Sequence, residues 1–347
     1  MANTCSPNIS NTIKNLRFPL ILGVVLIHNV LIEPQEAAAQ GLDLVSFLIE
    51  LMSRKMASPC VPLFFFISGY LFFVKFEKHF SSFDYKTQIR KRVRTLLVPY
   101  IIWNFLTLLC FALMHWLAPT LINPDFNNIC HFTMYEFLRS FWDYPGGQPI
   151  CFQLWFLRDL IEAVVFSPVF YFALKYGRQY VMLILTVLYL FSTNLFPQQT
   201  TITFFALGAG FAIHKFDFVC LANRMPKTIA LMFCALAVYS SLNPNGGGYF
   251  NGLITLTGAA TFVWVASISK NISTTLSESS FFIYAFHGLP ILILSKATVK
   301  LLHPSTTPVW IGCYFACFVT IVLISLGLYV MLKRAFPRFT SIITGAR

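Results

Sequence analysis

Charge is what this sequence has least of. Its 347 residues hold 13 Asp and Glu, and charged residues make up 11% of the chain, against about 25% in a soluble domain. Nine cysteines show no Cys-x-x-Cys pair and no metal-ligand spacing, which excludes a zinc-ribbon or redox-motif reading. No repeat of 20 to 50 residues and no low-complexity tract is present, which excludes solenoids and disordered linkers. The Ser68-Gly69 pair has no Gly-x-Ser-x-Gly elbow around it, so a serine nucleophile is rejected and close helix approach is the better account of that pair.

What fills the chain instead is hydrocarbon: 57% of residues are hydrophobic and the mean hydropathy is +0.69. The composition predicts an all-α, polytopic membrane bundle. Ten apolar runs are candidate spans, at about 16–33, 57–74, 96–115, 152–174, 179–196, 200–214, 228–243, 249–269, 280–297 and 308–332. One integral domain over 1–347, with 1–15 as a short cytoplasmic segment, is the simplest division. A cleaved signal peptide is disfavoured, because Leu16 to Ile32 is long for such a segment and carries Arg17 and His28.

Basic residues gather in cytoplasmic loops of membrane proteins. With both termini inside, 19 of the 25 Lys and Arg fall at that face, among them Lys14, Lys75, Lys78, Lys175, Lys215, Arg224, Lys270, Lys333 and Arg347. Glu33, Glu36, Asp43, Glu50, Asp125, Glu136 and Asp143 fall outside. The net charge of +12 is therefore a topology signal, and nucleic-acid binding is excluded because the cations are dispersed over membrane loops.

Two outer loops are long, 34–56 and 116–151. Leu42 to Met52 and Phe132 to Trp142 have apolar residues at helical spacing, with Asp43 and Glu50 on the polar face of the first, so interfacial helices are expected there. Turns are expected at Asp143 to Pro149 and Asn243 to Gly248. Cys130 and Cys151 both fall outside, where pairing is open to them.

Ionisable side chains inside a span default to a functional reading. Arg17 and His28 are eleven residues apart, which on a helix is three turns plus roughly 20° and about 16 Å, so the two share one face. Arg17 alone has a second reading, snorkelling to the inner interface, and His28 alone could be a packed core histidine. The densest cation cluster, Lys86 to Arg94, runs into Pro99 and Tyr100. Arginine forks there suit phosphates, yet the same charges also satisfy anionic lipid and the positive-inside rule. Pro19 is expected to bend the start of the first helix.

Six segments in order resemble the acyltransferase-3 family of membrane acyltransferases. They are Arg17 with ten residues before His28; Phe64 to Leu71 (Phe-Phe-Phe-Ile-Ser-Gly-Tyr-Leu); Arg92 to Tyr100 (Arg-Val-Arg-Thr-Leu-Leu-Val-Pro-Tyr); Leu154 to Asp159 (Leu-Trp-Phe-Leu-Arg-Asp); Phe204 to Ala209 (Phe-Phe-Ala-Leu-Gly-Ala); and Ser280 to His287 (Ser-Phe-Phe-Ile-Tyr-Ala-Phe-His). The fourth segment looks most like the branch that includes the enterobacterial-common-antigen O-acetyltransferase.

The resemblance implies a multi-pass protein of the bacterial inner membrane. It would move an acyl group, usually acetyl, from cytosolic acyl-coenzyme A to a hydroxyl of a cell-surface or lipid-linked glycan. No metal is implied; membrane lipids, the acyl-coenzyme A and the glycan are the partners. The roles implied are His28 as general base, with Arg17, Arg90, Arg92 and Arg94 on the cofactor phosphates, the working loop arginine left open. A neutral imidazole suits that task, and a transient acyl-histidine is a less favoured variant. His287 either lines the same cavity or packs helices. It follows a Ser277-Glu278-Ser279-Ser280 run of capping type. Arg158 and Asp159 either form a structural ion pair, with Glu162 also in reach of Arg158, or bind the acceptor; Glu36, with Glu33, either orients the site or is merely solvated. Trp142 and Trp155 have two readings, stacking on a sugar or belonging to an interfacial belt. Against the enzyme stands a flippase or exporter of a lipid-linked glycan, for which matched Gly/Pro-broken helices in two halves are missing.

Overall fold

Helices cover most of each apolar run, though not one helix to a run, in the computed structural model, which describes residues 9–76, 82–117, 132–143, 147–243 and 247–345. The described residues are helical and form no β-strand. Lys78, Asp125, Cys130, Arg347 and the centres of the 143–149 and 243–248 turns lie outside the described residues. Cys151 is buried with a free thiol.

The first helix, α1 (Ile9–His28), carries Pro19 inside it and continues past it to His28. Its buried Asn15 staples this end of α1 to the segment after residue 265: Nδ2 donates to the carbonyls of Ala266 (3.1 Å) and Ser269 (3.3 Å), and Oδ1 accepts from the Ile272 amide (3.0 Å). After a single turn, α2 (Pro34–Ala39), the chain forms α3 (Asp43–Ile49), which passes into a π-helical stretch, Glu50–Met56, and then into α4 (Cys60–Phe73). The helix expected over 42–52 is present, but Glu50 is not on a solvated face. It is 7% exposed and pairs with Lys55 (3.3 Å) and Arg54 (3.4 Å), because the wide π turn brings these cations back over it. Lys55 also donates to Asn251 (3.1 Å).

Next come α5 (Ser82–Arg92), a π-helical stretch Val93–Leu97 and α6 (Val98–Leu117). The short α7 (Met134–Ser140) opens with a capping box between Thr133 and Glu136; the Thr133 amide and hydroxyl hold the Glu136 carboxyl below its ordinary range. The runs at 152–174 and 179–196 are organised differently from the expectation. A 3-10 turn, Phe152–Leu154, leads into α8 (Trp155–Val165), and Pro168 starts a new helix, α9 (Ser167–Phe191), broken at Arg178. The remainder is α10 (Gln199–Ile213), α11 (Phe218–Ala222), α12 (Pro226–Leu242), α13 (Asn251–Ile268), α14 (Thr274–Phe286), α15 (Gly288–Leu302), α16 (Thr307–Ala335) and α17 (Pro337–Ile343).

Among the described residues four helices are long and apolar enough to cross a membrane unaided: Asp43–Phe73, Tyr85–Leu117, Asn251–Ile268 and Thr307–Ala335. The bent pair α14 and α15, at 68°, makes a fifth if it is one span. Pro290, which lacks an amide donor, sits just past that bend. α14 begins at Thr274 and Ser277 is buried inside it, so the Ser277 run packs the helix instead of capping it.

α4 and α10 form the most extensive helix pair. Gly69 lies on the Phe205 carbonyl and Gly208 on the Phe66 carbonyl, each so close that a Cβ would collide with backbone. Backbone-to-backbone approach through small residues is how apolar helices associate where lipid removes the hydrophobic drive, and it is the role expected of Ser68-Gly69.

Candidate acyl-transfer site

Arg17, Ile21, Val24 and His28 are spaced four, three and four residues apart, which places them on one stripe of α1. The first three line a cavity of about 170 Å³. Its other walls are Val61, Phe64, Ile67, Ser68 and Leu71 from α4, Phe156, Leu157 and Leu160 from α8, and Ser277, Ser280, Phe281 and Tyr284 from α14.

Of the loop arginines, Arg92 alone joins that lining. Its guanidinium lies 5.8 Å from the Phe72 ring centre, a cation held on an aromatic face. Arg90 and Arg94 are exposed; two residues either side of Arg92 on a helix point to the opposite face. No carboxylate among the described residues is within ion-pair distance of Arg17 or Arg92. Glu278, also in the wall, is occupied by Lys333. Arg17 further borders a cleft with Ser10, Lys14 and Tyr70. Two uncommitted guanidinium groups therefore face one chamber.

His28 stands one turn beyond the chamber lining, half-buried. Its ring packs edge-on against Phe152 at 5.2 Å and lies 5.3 Å from the ring of His287. His287 is completely buried, at the bend between α14 and α15. Its Nδ1 lies 3.0 Å from the Ile283 carbonyl; a carbonyl only accepts, so Nδ1 carries the proton and Nε2 presents its lone pair. That Nε2 has no hydrogen-bond partner among the described residues. The two candidate histidines, distant in sequence, are thus neighbours, their ring planes 41° apart.

Sequence reasoning missed Gln153. Its Nε2 donates to the Ala285 carbonyl (2.9 Å), and its own carbonyl accepts from the buried Tyr284 hydroxyl (2.8 Å). Gly288 has no Cβ because the Gln153 amide occupies that space. Gln153 thereby ties the turn before α8 to the bend that carries His287; its only signal was its place directly before the Leu154 to Asp159 segment.

Arg158 does not pair with Glu162. It chelates Asp159 Oδ1 through Nε (3.0 Å) and Nη2 (2.9 Å), and Nη1 donates to the carbonyls of Trp142 (3.0 Å) and Gly147 (2.7 Å). Glu162 instead accepts from Gln198 (2.6 Å). Glu36 is exposed and its carboxylate accepts from Gln40 (3.4 Å), while Glu33 pairs with Arg54 (2.6 Å); neither touches the imidazoles. No cluster of three His, Cys, Asp or Glu able to hold a metal occurs among the described residues.

Two guanidinium groups thus line a chamber one helical turn from a pair of imidazoles, inside a bundle of apolar helices. The chain belongs to the acyltransferase-3 family, whose acyltransferase-domain profile matches residues 11–329. It is similar to the succinoglycan biosynthesis protein ExoH of Rhizobium meliloti strain 1021, 25% identical over 361 residues that cover 98% of this chain and 93% of that protein. No solved structure matches it.

Proposed function

We propose that this protein is an O-acyltransferase that takes an acyl group, most simply acetyl, from cytosolic acyl-coenzyme A and places it on a hydroxyl of a cell-surface or lipid-linked glycan. The observation that carries this reading is the α1 stripe, with Arg17 in a chamber shared with Arg92 and His28 at its upper end beside His287. Arg17 and Arg92 hold the donor's phosphates. The pantetheine arm lies along Ile21 and Val24, a path of about 16 Å from Arg17 to His28. His28 takes the proton of the acceptor hydroxyl as its oxygen attacks the thioester carbonyl, and coenzyme A leaves as the thiol. The rhizobial relative is named for the biosynthesis of a polysaccharide, which favours a glycan acceptor over a lipid or protein one. The protein lies in the bacterial inner membrane, with Arg17 and Arg92 at the cytosolic side.

The test is incubation of membranes carrying the protein with acetyl-coenzyme A labelled in the acetyl group, followed by fractionation of surface polymers. Label in a polysaccharide supports the reading; no transfer from any short acyl donor overturns it and leaves the flippase. A second expectation separates the arginines. Arg92→Ala raises the KM for acyl-coenzyme A by about 10- to 100-fold, the worth of a charge-assisted contact of about 1.5–3 kcal/mol. Arg90→Ala and Arg94→Ala change it less than about threefold, as exposed charges do. Equal effects of all three would remove Arg92 from its assigned place.

A further inference from the structure

Trp155 and Phe156 are consecutive on α8 but belong to different hollows. Phe156 walls the Arg17 chamber, whereas Trp155 lines a separate open hollow of about 640 Å³ with Arg158, Asp159 and residues 193–201. That second hollow lies at the His28 end of the molecule. Phe152, whose ring touches His28, precedes Trp155 by three residues of a 3-10 turn, roughly 6 Å of rise.

Its walls combine one indole with carboxylate, amide and hydroxyl groups. Asp159 is 3% exposed, yet among the described residues its Oδ2 meets only the Thr201 hydroxyl, at 3.4 Å, which leaves lone pairs for a donor. Asn194 and Gln198 stand at the rim, both exposed. The loop between α9 and α10 is held in shape before any ligand arrives. The Gln199 amide accepts from the Leu195 backbone (2.6 Å) and donates to the Ser192 carbonyl (2.9 Å). Gln198 is kept in the left-handed region at φ 54°, a conformation that costs on the order of 1 kcal/mol and persists only where the surroundings impose it.

Resting on the acyl-transfer reading, we infer that this hollow is the acceptor subsite, binding a saccharide with a sugar ring stacked on Trp155 and hydroxyl groups donating to Asp159. A sugar ring offers an apolar C–H face and a rim of hydroxyls, and an indole beside a buried carboxylate and a pre-shaped polar loop matches both. A hydrocarbon chain has a better place elsewhere. The hollow between α4, α10, α12 and α13, walled by Leu63, Phe66, Phe204, Leu207 and Val263, is almost wholly apolar.

The test uses the full chain in lipid discs, with acetyl-coenzyme A as donor. The acceptors are oligosaccharides cut by mild acid from the de-esterified surface polysaccharide of the producing cells. Trp155→Ala raises the acceptor KM about tenfold or more, as loss of a stacking platform does, with the acyl-coenzyme A KM within twofold; Trp155→Phe recovers most of it. Asn194→Trp, at the exposed rim, fills the hollow without disturbing the core and also raises the acceptor KM, so it decides the matter if Trp155→Ala misfolds. An unchanged acceptor KM in Asn194→Trp, or in a folded Trp155→Ala, overturns the subsite while acyl transfer stands. A wild-type protein that consumes no acyl donor with any such acceptor overturns the acyl-transfer reading and the subsite together.

Discussion

His28→Ala abolishes acyl transfer while the protein still inserts, stays monodisperse in detergent and binds acyl-coenzyme A. A positioned general base contributes about 10²- to 10⁴-fold, so kcat falls by that range with the donor KM nearly constant. The binding half of the expectation follows from position: Arg17 and Arg92, assigned to the donor's phosphates, line a chamber that His28 does not, so its loss leaves those charged contacts in place. His28→Gln is the sharper variant, because it keeps a polar side chain against Phe152 and His287 and supplies no base. Single-turnover measurement with labelled donor reads the chemical step directly. Full activity in His28→Gln would mean that the imidazole is only packing.

Gly208→Val has the largest expected effect on stability. A Cβ at 208 meets the Phe66 carbonyl oxygen, and one at 69 meets the Phe205 carbonyl. Neither obstacle is a side chain that can swing away; relief requires α4 and α10 to separate along the most extensive helix contact in the molecule. Overpacking of this kind costs about 3 kcal/mol or more, seen as a fall in the thermal inactivation midpoint on the order of 5 °C and as a lower yield of folded protein. Gly312→Val and Gly327→Val on α16 are the controls, since nothing lies within 4 Å of a Cβ at either. Equal behaviour of all three variants would remove the close crossing as a determinant of stability.

Hydropathy made the helices readable, because lipid forces every apolar stretch to satisfy its backbone internally. Where the runs divide was less readable. Pro168 after Phe166 starts a fresh helix inside a continuous apolar run, and Arg178 breaks α9 in the conformation that glycine would normally supply. The π turn over Glu50–Met56 left no mark in the pattern, so Glu50 looked solvated when it is in fact enclosed by Lys55 and Arg54.

In the site, the Arg17 and His28 stripe follows from helical spacing alone, and the structure keeps it. Selection among Arg90, Arg92 and Arg94 needed tertiary placement, since all three have the same chemistry and only the orientation of α5 tells them apart. The meeting of His28 with His287 is likewise a tertiary contact: His287 stands at the bend between α14 and α15, and the Gln153 amide lies where a Cβ at Gly288 would be. Arg158 illustrates the opposite failure. Spacing of four suggested Glu162, but the fork geometry of a guanidinium favours the two-point chelate it makes with its neighbour Asp159.

Because α8 turns Trp155, Arg158 and Asp159 one way and Phe156, Leu157 and Leu160 the other, a single short rod supplies separate facings to two compartments. On the proposed acyl-transfer reading, exchanges along 193–198 retune which carbohydrate is accepted without touching the nucleotide side, whereas exchanges at 155 reach it, because Trp155 and Phe156 both pack on the Phe65 ring.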